Sequence, residues 1–140
     1  MAKTVLLIED NPGQQEAITR FILQGLGYTD IACATLDDVQ RVVPGLAAPP
    51  VGILLDFGIP QILGAAPSLE TGRDCGLYLR GMWPGTAVVP LTAHVPIIAY
   101  TQYNDSRFDG WGDIIRIAVI LKKHVIGIAD IETEVKKYFI

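Results

Sequence analysis

Glu9, Asp10, Asp56, Thr101 and the pair Lys122-Lys123 are the residues of this chain whose types and places could do chemistry. Each follows an apolar run. Val5-Leu6-Leu7-Ile8 leads into Glu9-Asp10, and Val51-Gly52-Ile53-Leu54-Leu55 leads into Asp56. Val95-Pro96-Ile97-Ile98-Ala99-Tyr100 leads into Thr101, and Ile117-Ala118-Val119-Ile120-Leu121 leads into the lysines. Such runs read as strands buried on both faces. In an open parallel sheet the C-terminal strand ends share one edge, and ligands bind in the crevice there. The pattern therefore gathers three carboxylates, a hydroxyl and an ammonium on an apolar scaffold. Carboxylates crowded in this way repel one another unless a cation joins them.

The elements that must position these residues alternate between strand and helix. A first strand is expected over 3–9. Asn11 caps a helix with Pro12 in its first turn. Ala17, Ile18, Phe21, Ile22 and Leu26 set that helix's apolar spacing, and Gly25 and Gly27 end it. A second strand spans Tyr28 to Ala34, Thr35 caps a helix through about Val43, and a third strand covers 51–56. The connection from Phe57 to His94 is long for a crossover, with roughly 15 residues beyond one helix and two short loops. A helix fits at about Thr71–Met82, with Leu77, Tyr78 and Met82 on its inner face. Most of the excess falls in an irregular insertion at about 61–70, with some in Pro84–Thr92. A fourth strand over 95–101 follows. A weak helix from Asn104 to Ile115 is expected to break at Gly110 and Gly112. A fifth strand spans 117–122 and a last helix about Asp130–Phe139. Alternating strands and helices imply a doubly wound α/β fold around a parallel sheet.

Composition narrows the function. The chain has 140 residues, half of them hydrophobic, which suits one domain with a sizeable core. A net charge of -4 without a basic run argues against direct nucleic-acid binding through a charged surface. Cys33 and Cys75 fit no metal-binding spacing and read as reduced thiols. No signal peptide or bilayer-spanning run is present, so a cytoplasmic protein with no membrane association is expected.

The segments VLLIEDNP, ILLDFGIP, VPIIAYT and VILKKH resemble the marker segments of the response-regulator receiver domain (CheY-like), in the family's order and across nearly the whole chain. The resemblance implies a flavodoxin-like, five-stranded parallel sheet of order 2-1-3-4-5, to which the length of the 57–94 connection adds an insertion after strand three. It implies a single receiver domain over 1–140, with Asp10 and Asp56 as neighbours on adjacent strands. Asp56 matches the phosphoacceptor, since a carboxylate can attack phosphorus and hold a mixed anhydride. Glu9 and Asp10 match the acidic pair that holds Mg²⁺ (or Mn²⁺), together with Asp56 and the backbone carbonyl of Gly58. Within the pair, Asp10 is expected to coordinate directly and Glu9 through water. Thr101 matches the hydroxyl that bonds the phosphoryl oxygen. Lys123 matches the lysine that reaches the same group, with Lys122 as the alternative. The implied partners are a sensor histidine kinase or phosphotransfer protein and a downstream protein target, with homodimerisation left open.

Several positions depart from the family pattern. His124 stands where proline usually follows the lysine, and a cis bond without proline costs about 3–4 kcal/mol. Gln102 replaces a small residue. Gly58 leaves the side-chain position two residues past the acceptor empty. Ile120 occupies the place of the switch aromatic on strand five, and neither Tyr100 nor Tyr103 is assigned that role. Trp111 fits either a core position or a docking face, and the insertion could serve as lid, partner contact or dimer surface. Two competing functions follow. One is a degenerate pseudo-receiver acting as a constitutive interaction module. The other is a phosphohydrolase with an aspartyl nucleophile, which Gly58 opposes because such enzymes commonly carry an acid/base Asp there. The leading expectation is a stand-alone phosphoacceptor receiver in a two-component system or phosphorelay, with no output domain and at most self-phosphorylation and autodephosphorylation as its own chemistry.

Overall fold

Among the described residues, the four apolar runs and the segment from Tyr28 become strands: β1 (Lys3–Ile8), β2 (Tyr28–Cys33), β3 (Gly52–Asp56), β4 (Ile97–Thr101) and β5 (Val119–Lys122). The computed structural model describes residues 3–83, 95–101, 105–122 and 128–139. The strands form one sheet of order β2-β1-β3-β4-β5, and every neighbouring pair is parallel. The order and fold class are those expected from the sequence. Strands β3 and β4 are buried at every residue, as a sheet covered on both faces requires.

Among the described residues five α-helices cover the sheet: α1 (Pro12–Ile18), α2 (Leu36–Val42), α3 (Leu69–Met82), α4 (Arg107–Ile115) and α5 (Ile128–Tyr138). Leu6, Ile8, Ile53 and Leu55 pack with α2, α3 and α4 on one face. Val5, Leu7, Leu54 and Ile98 pack with α1 and α5 on the other. Side chains alternate faces along a strand, so each strand feeds both cores. The helix starts follow local chemistry. Asn11, Thr35 and Ser68 each accept a hydrogen bond from the backbone N–H three residues on, satisfying amides the first turn leaves unpaired.

The structure corrects the sequence reading in four places. First, α1 continues as a π-helical turn over Thr19–Leu23. The wider turn rotates the following residues, so Leu23 is buried and Phe21 is 63% exposed. Second, the inner face of α3 is Gly72, Cys75, Gly76, Leu79 and Arg80. Among the described residues Leu77 and Met82 are exposed, and Tyr78 is partly buried against the core. A Cβ at Gly72 would lie under 3.0 Å from the Phe57 backbone, so α3 sits directly on the chain that follows β3. Third, α4 runs unbroken through Gly110 and Gly112. Tertiary packing overrides weak propensity here: Phe108, Trp111 and Ile115 are buried, and Ile120 packs over Gly112. Fourth, Ser68 starts α3 before Thr71, so the irregular stretch is 61–67. Its ends are pinned by an antiparallel bridge between Ile59 and Ser68 and by amides of Leu36 and Asp37 donating to the carbonyls of Pro60 and Gln61. The expected irregular stretch at Pro84–Thr92 lies outside the described residues.

Arg80 closes the end of the sheet opposite the strand C-termini. Its guanidinium is buried and donates to the carbonyls of Ile115 (2.8 Å), Trp83 (3.0 Å), Val95 (3.0 Å) and Arg116 (3.2 Å). The fork geometry of arginine lets one side chain satisfy carbonyls from three segments. It thereby joins the end of α3, the end of α4 and the entry to β4.

Candidate functional site

The turn after β1 is built around Glu9. Its amide donates to Cys33 O at 3.0 Å and extends the β1–β2 ladder by one residue. Glu9 is 1% exposed. Its Oε2 accepts from the Asn11 amide at 3.2 Å, and its carbonyl accepts from Gln15 Nε2 at 3.2 Å. Asn11 in turn caps α1 through Gln14 N at 3.0 Å. The start of α1 therefore fixes Glu9 and the adjoining Asp10.

Asp56 is the last residue of β3 and is 7% exposed. Its Oδ1 accepts from the Gly58 amide at 3.0 Å. One ligand atom from each of Glu9, Asp10 and Asp56 lies within 4.8 Å of the others. The convergence follows from topology. Strands β1 and β3 are neighbours, with Ile8 paired to Leu55, so both chains leave the sheet side by side. Three carboxylates at this spacing are a hard-oxygen donor set, which suits a divalent cation such as Mg²⁺ or Mn²⁺.

The residue after Asp56 anchors this loop. Phe57 is fully buried, stacks on Phe108 with centroids 5.2 Å apart, and meets the edge of Trp111 at 5.5 Å. Arg73 and Arg107 lie over the Trp111 ring at 5.6 and 5.1 Å. Arg107 also pairs with Glu70 at 2.6 Å and Asp105 at 2.8 Å, which holds the Glu70 carboxyl below its ordinary range and Asp105 at about 2. Trp111 is thus a core residue.

Thr101 ends β4 and is 1% exposed. Tyr100 pairs with Asp56 in the β3–β4 register, so Thr101 lies one residue past the partner of Asp56. The backbone of Lys122 pairs with Thr101. Lys123, His124, Gln102 and Tyr103 lie outside the described residues. The structure therefore brings Glu9, Asp10, Asp56, Gly58 and Thr101 to one edge, with the β5 end beside them.

No protein-family model and no curated protein matches the sequence. Solved structures do. A CheY-like response regulator receiver domain protein from Methanospirillum hungatei superposes with a TM-score of 0.76 at 15% identity, covering 98% of this chain and 93% of that one. The receiver domain of a signal transduction histidine kinase from Syntrophus aciditrophicus gives 0.71 at 20% identity, covering 99% and 90%. The BeF3-activated N-terminal receiver domain of Klebsiella pneumoniae RstA gives 0.72 at 17% identity, covering 98% of both chains. The fold is that of a response-regulator receiver domain. The receiver fold accounts for the strand order, and the acidic edge of this chain lies at its β1–β3 switch point.

One residue of this edge was missed by the sequence reading. The Tyr100 hydroxyl donates to Glu9 Oε1 at 3.2 Å, in a buried contact. Burial pushes the phenol well above its ordinary pKa, and the charges of Glu9, Asp56 and Asp10 push the same way. Tyr100 is therefore a neutral donor at the carboxylates. The signal in the sequence was strand parity: Glu9, Asp56 and Tyr100 each continue the set of positions that faces α1 and α5.

Proposed function

We propose that this chain is a single phosphoacceptor receiver domain over 1–140, which takes a phosphoryl group on Asp56 with Mg²⁺ (or Mn²⁺) bound and signals through a partner protein. The observation that carries this reading is the convergence of Glu9, Asp10 and Asp56 within 4.8 Å at the C-terminal sheet edge. An oxygen of the Asp56 carboxylate attacks phosphorus. The bond from phosphorus to the donor atom breaks, and that atom keeps the electron pair. The product is an acyl phosphate on Asp56. Glu9, Asp10, Asp56 and the Gly58 carbonyl would hold the cation, which when bound offsets the negative charge of the oxygens meeting there. The Thr101 hydroxyl donates to a phosphoryl oxygen, and Lys123, with Lys122 as its alternative, supplies an ammonium to the same group. The phosphoryl source is a sensor histidine kinase or phosphotransfer protein, and the reaction takes place in the cytoplasm. Among the described residues no helix is long and apolar enough to cross a membrane.

The converging acidic set favours this reading over a constitutive binding module, which needs no cation site. Gly58 carries no side chain for acid–base work two residues past the nucleophile, which disfavours a phosphohydrolase. Incubation with acetyl phosphate and Mg²⁺, followed by intact mass spectrometry, tests the proposal. Wild type should gain the mass of one phosphoryl group, and Asp56→Asn should gain none. A folded wild type that never incorporates phosphate refutes it.

A further inference from the structure

The Glu9–Tyr100 hydrogen bond joins two strands that are not neighbours. In the order β1-β3-β4, the Tyr100 side chain reaches from β4 across the face of β3 to Glu9 at the end of β1. It passes over the strand that ends in Asp56, its own register partner. With the Asn11 amide on Oε2 and the Tyr100 hydroxyl on Oε1, both oxygens of Glu9 are held. Each carboxylate oxygen has a second lone pair, so a carboxylate fixed in this way can still face a cation. Orientation of a metal-binding carboxylate by an outer hydrogen bond commonly decides affinity.

We propose that Tyr100 is a positioning residue of the cation site: its hydroxyl, donated across β3, fixes the Glu9 carboxylate and ties cation affinity to the strand that carries Thr101. This rests on the reading of Glu9, Asp10 and Asp56 as a cation site. Tyr100→Phe removes the hydroxyl and keeps the buried ring. It should weaken Mg²⁺ binding about tenfold, the lower end of what loss of such a support costs, while phosphorylation at saturating Mg²⁺ stays within about twofold of wild type. Tyr28→Phe is the control. It removes a hydroxyl that donates to Phe139 O at 2.5 Å, at the start of β2 and far from the acidic edge, and should change melting temperature without moving the Mg²⁺ midpoint.

Mg²⁺ titration by calorimetry, beside acetyl phosphate labelling, reads both quantities. In wild type, the Tyr100 hydroxyl proton seen by NMR should shift with the same midpoint as the Mg²⁺ titration, a measurement that needs no variant. Unchanged or tighter Mg²⁺ binding in Tyr100→Phe, or a hydroxyl resonance indifferent to Mg²⁺, overturns the inference and leaves the site reading intact. A wild type with no saturable Mg²⁺ binding overturns both.

Discussion

Replacing Gly72 by Ala should push α3 off the loop that carries the proposed acceptor. A Cβ at Gly72 would meet the carbonyl oxygen, carbonyl carbon and Cα of Phe57, all closer than 3.0 Å, whereas ordinary contact begins near 3.4 Å. The opposing atoms are backbone and cannot rotate aside, so the helix itself must retreat. Overpacking of this kind costs about 1–3 kcal/mol. Alanine recovers about 1 kcal/mol through helix propensity. A clash with three rigid backbone atoms puts the cost at the upper end of that range, so the net loss is roughly 2 kcal/mol, or about 5–8 °C in melting temperature for a domain of this size. Gly110→Ala is the matched case. It lies in α4, is exposed, and among the described residues a Cβ there meets nothing within 4 Å. It should raise stability by roughly 0.5–1 kcal/mol. Thermal melts of the two variants should move in opposite directions. Because Phe57 follows Asp56 directly, the Mg²⁺ midpoint should also rise in Gly72→Ala and stay fixed in Gly110→Ala. A Gly72→Ala protein that melts at or above the wild-type temperature refutes the close-approach argument.

Two other predictions concern buried polar groups. Arg80→Leu deprives the carbonyls of Ile115, Trp83, Val95 and Arg116 of the Arg80 donor. It should lower stability by roughly 2–4 kcal/mol in urea unfolding, and Arg80→Lys should recover little because an ammonium lacks the fork. Alkaline pH should weaken the fold through its thiols. Burial pushes Cys33 from 9.0 to about 11 and Cys75 further still. Folding thus favours the protonated thiols, so the Cys33 contribution is complete below pH 9.0 and is lost as pH rises from there toward about 11, and that of Cys75 goes on falling above it. Urea midpoints across that range should fall less steeply in Cys75→Ala than in wild type.

The sheet and its acidic edge were legible because apolar runs ending in Glu9-Asp10, Asp56 and Thr101 are local patterns, and parallel topology carries their ends to one place. The α3 face was not legible. Periodicity points to bulky side chains such as Leu77 and Met82, whereas packing chose Gly72 and Gly76 for close approach. The phase of α1 was lost at the π turn over Thr19–Leu23, which no propensity marks and which exchanges Phe21 for Leu23 in the core. The breaks expected at Gly110 and Gly112 failed because the Phe57–Phe108–Trp111 cluster holds α4 together from outside the helix. Tyr100 was within reach of a parity argument, but its partner lies two strands away and no local pattern names it.

The guanidinium of Arg80 has a consequence beyond the carbonyls it satisfies. The acceptors at Trp83, Ile115 and Arg116 stand where α3 and α4 end, and helical peptide dipoles leave about half a negative charge at such ends. A cation where two negative poles converge neutralises them inside the protein. The opposite, positive poles of the same helices begin after β3 and β4, on the edge that holds Asp56 and Thr101. The domain is thereby electrically ordered along its strands, with a cation on the carbonyl poles and carboxylates beside the amide poles. An anion arriving at that edge meets a potential shaped by the backbone itself, before any side chain moves.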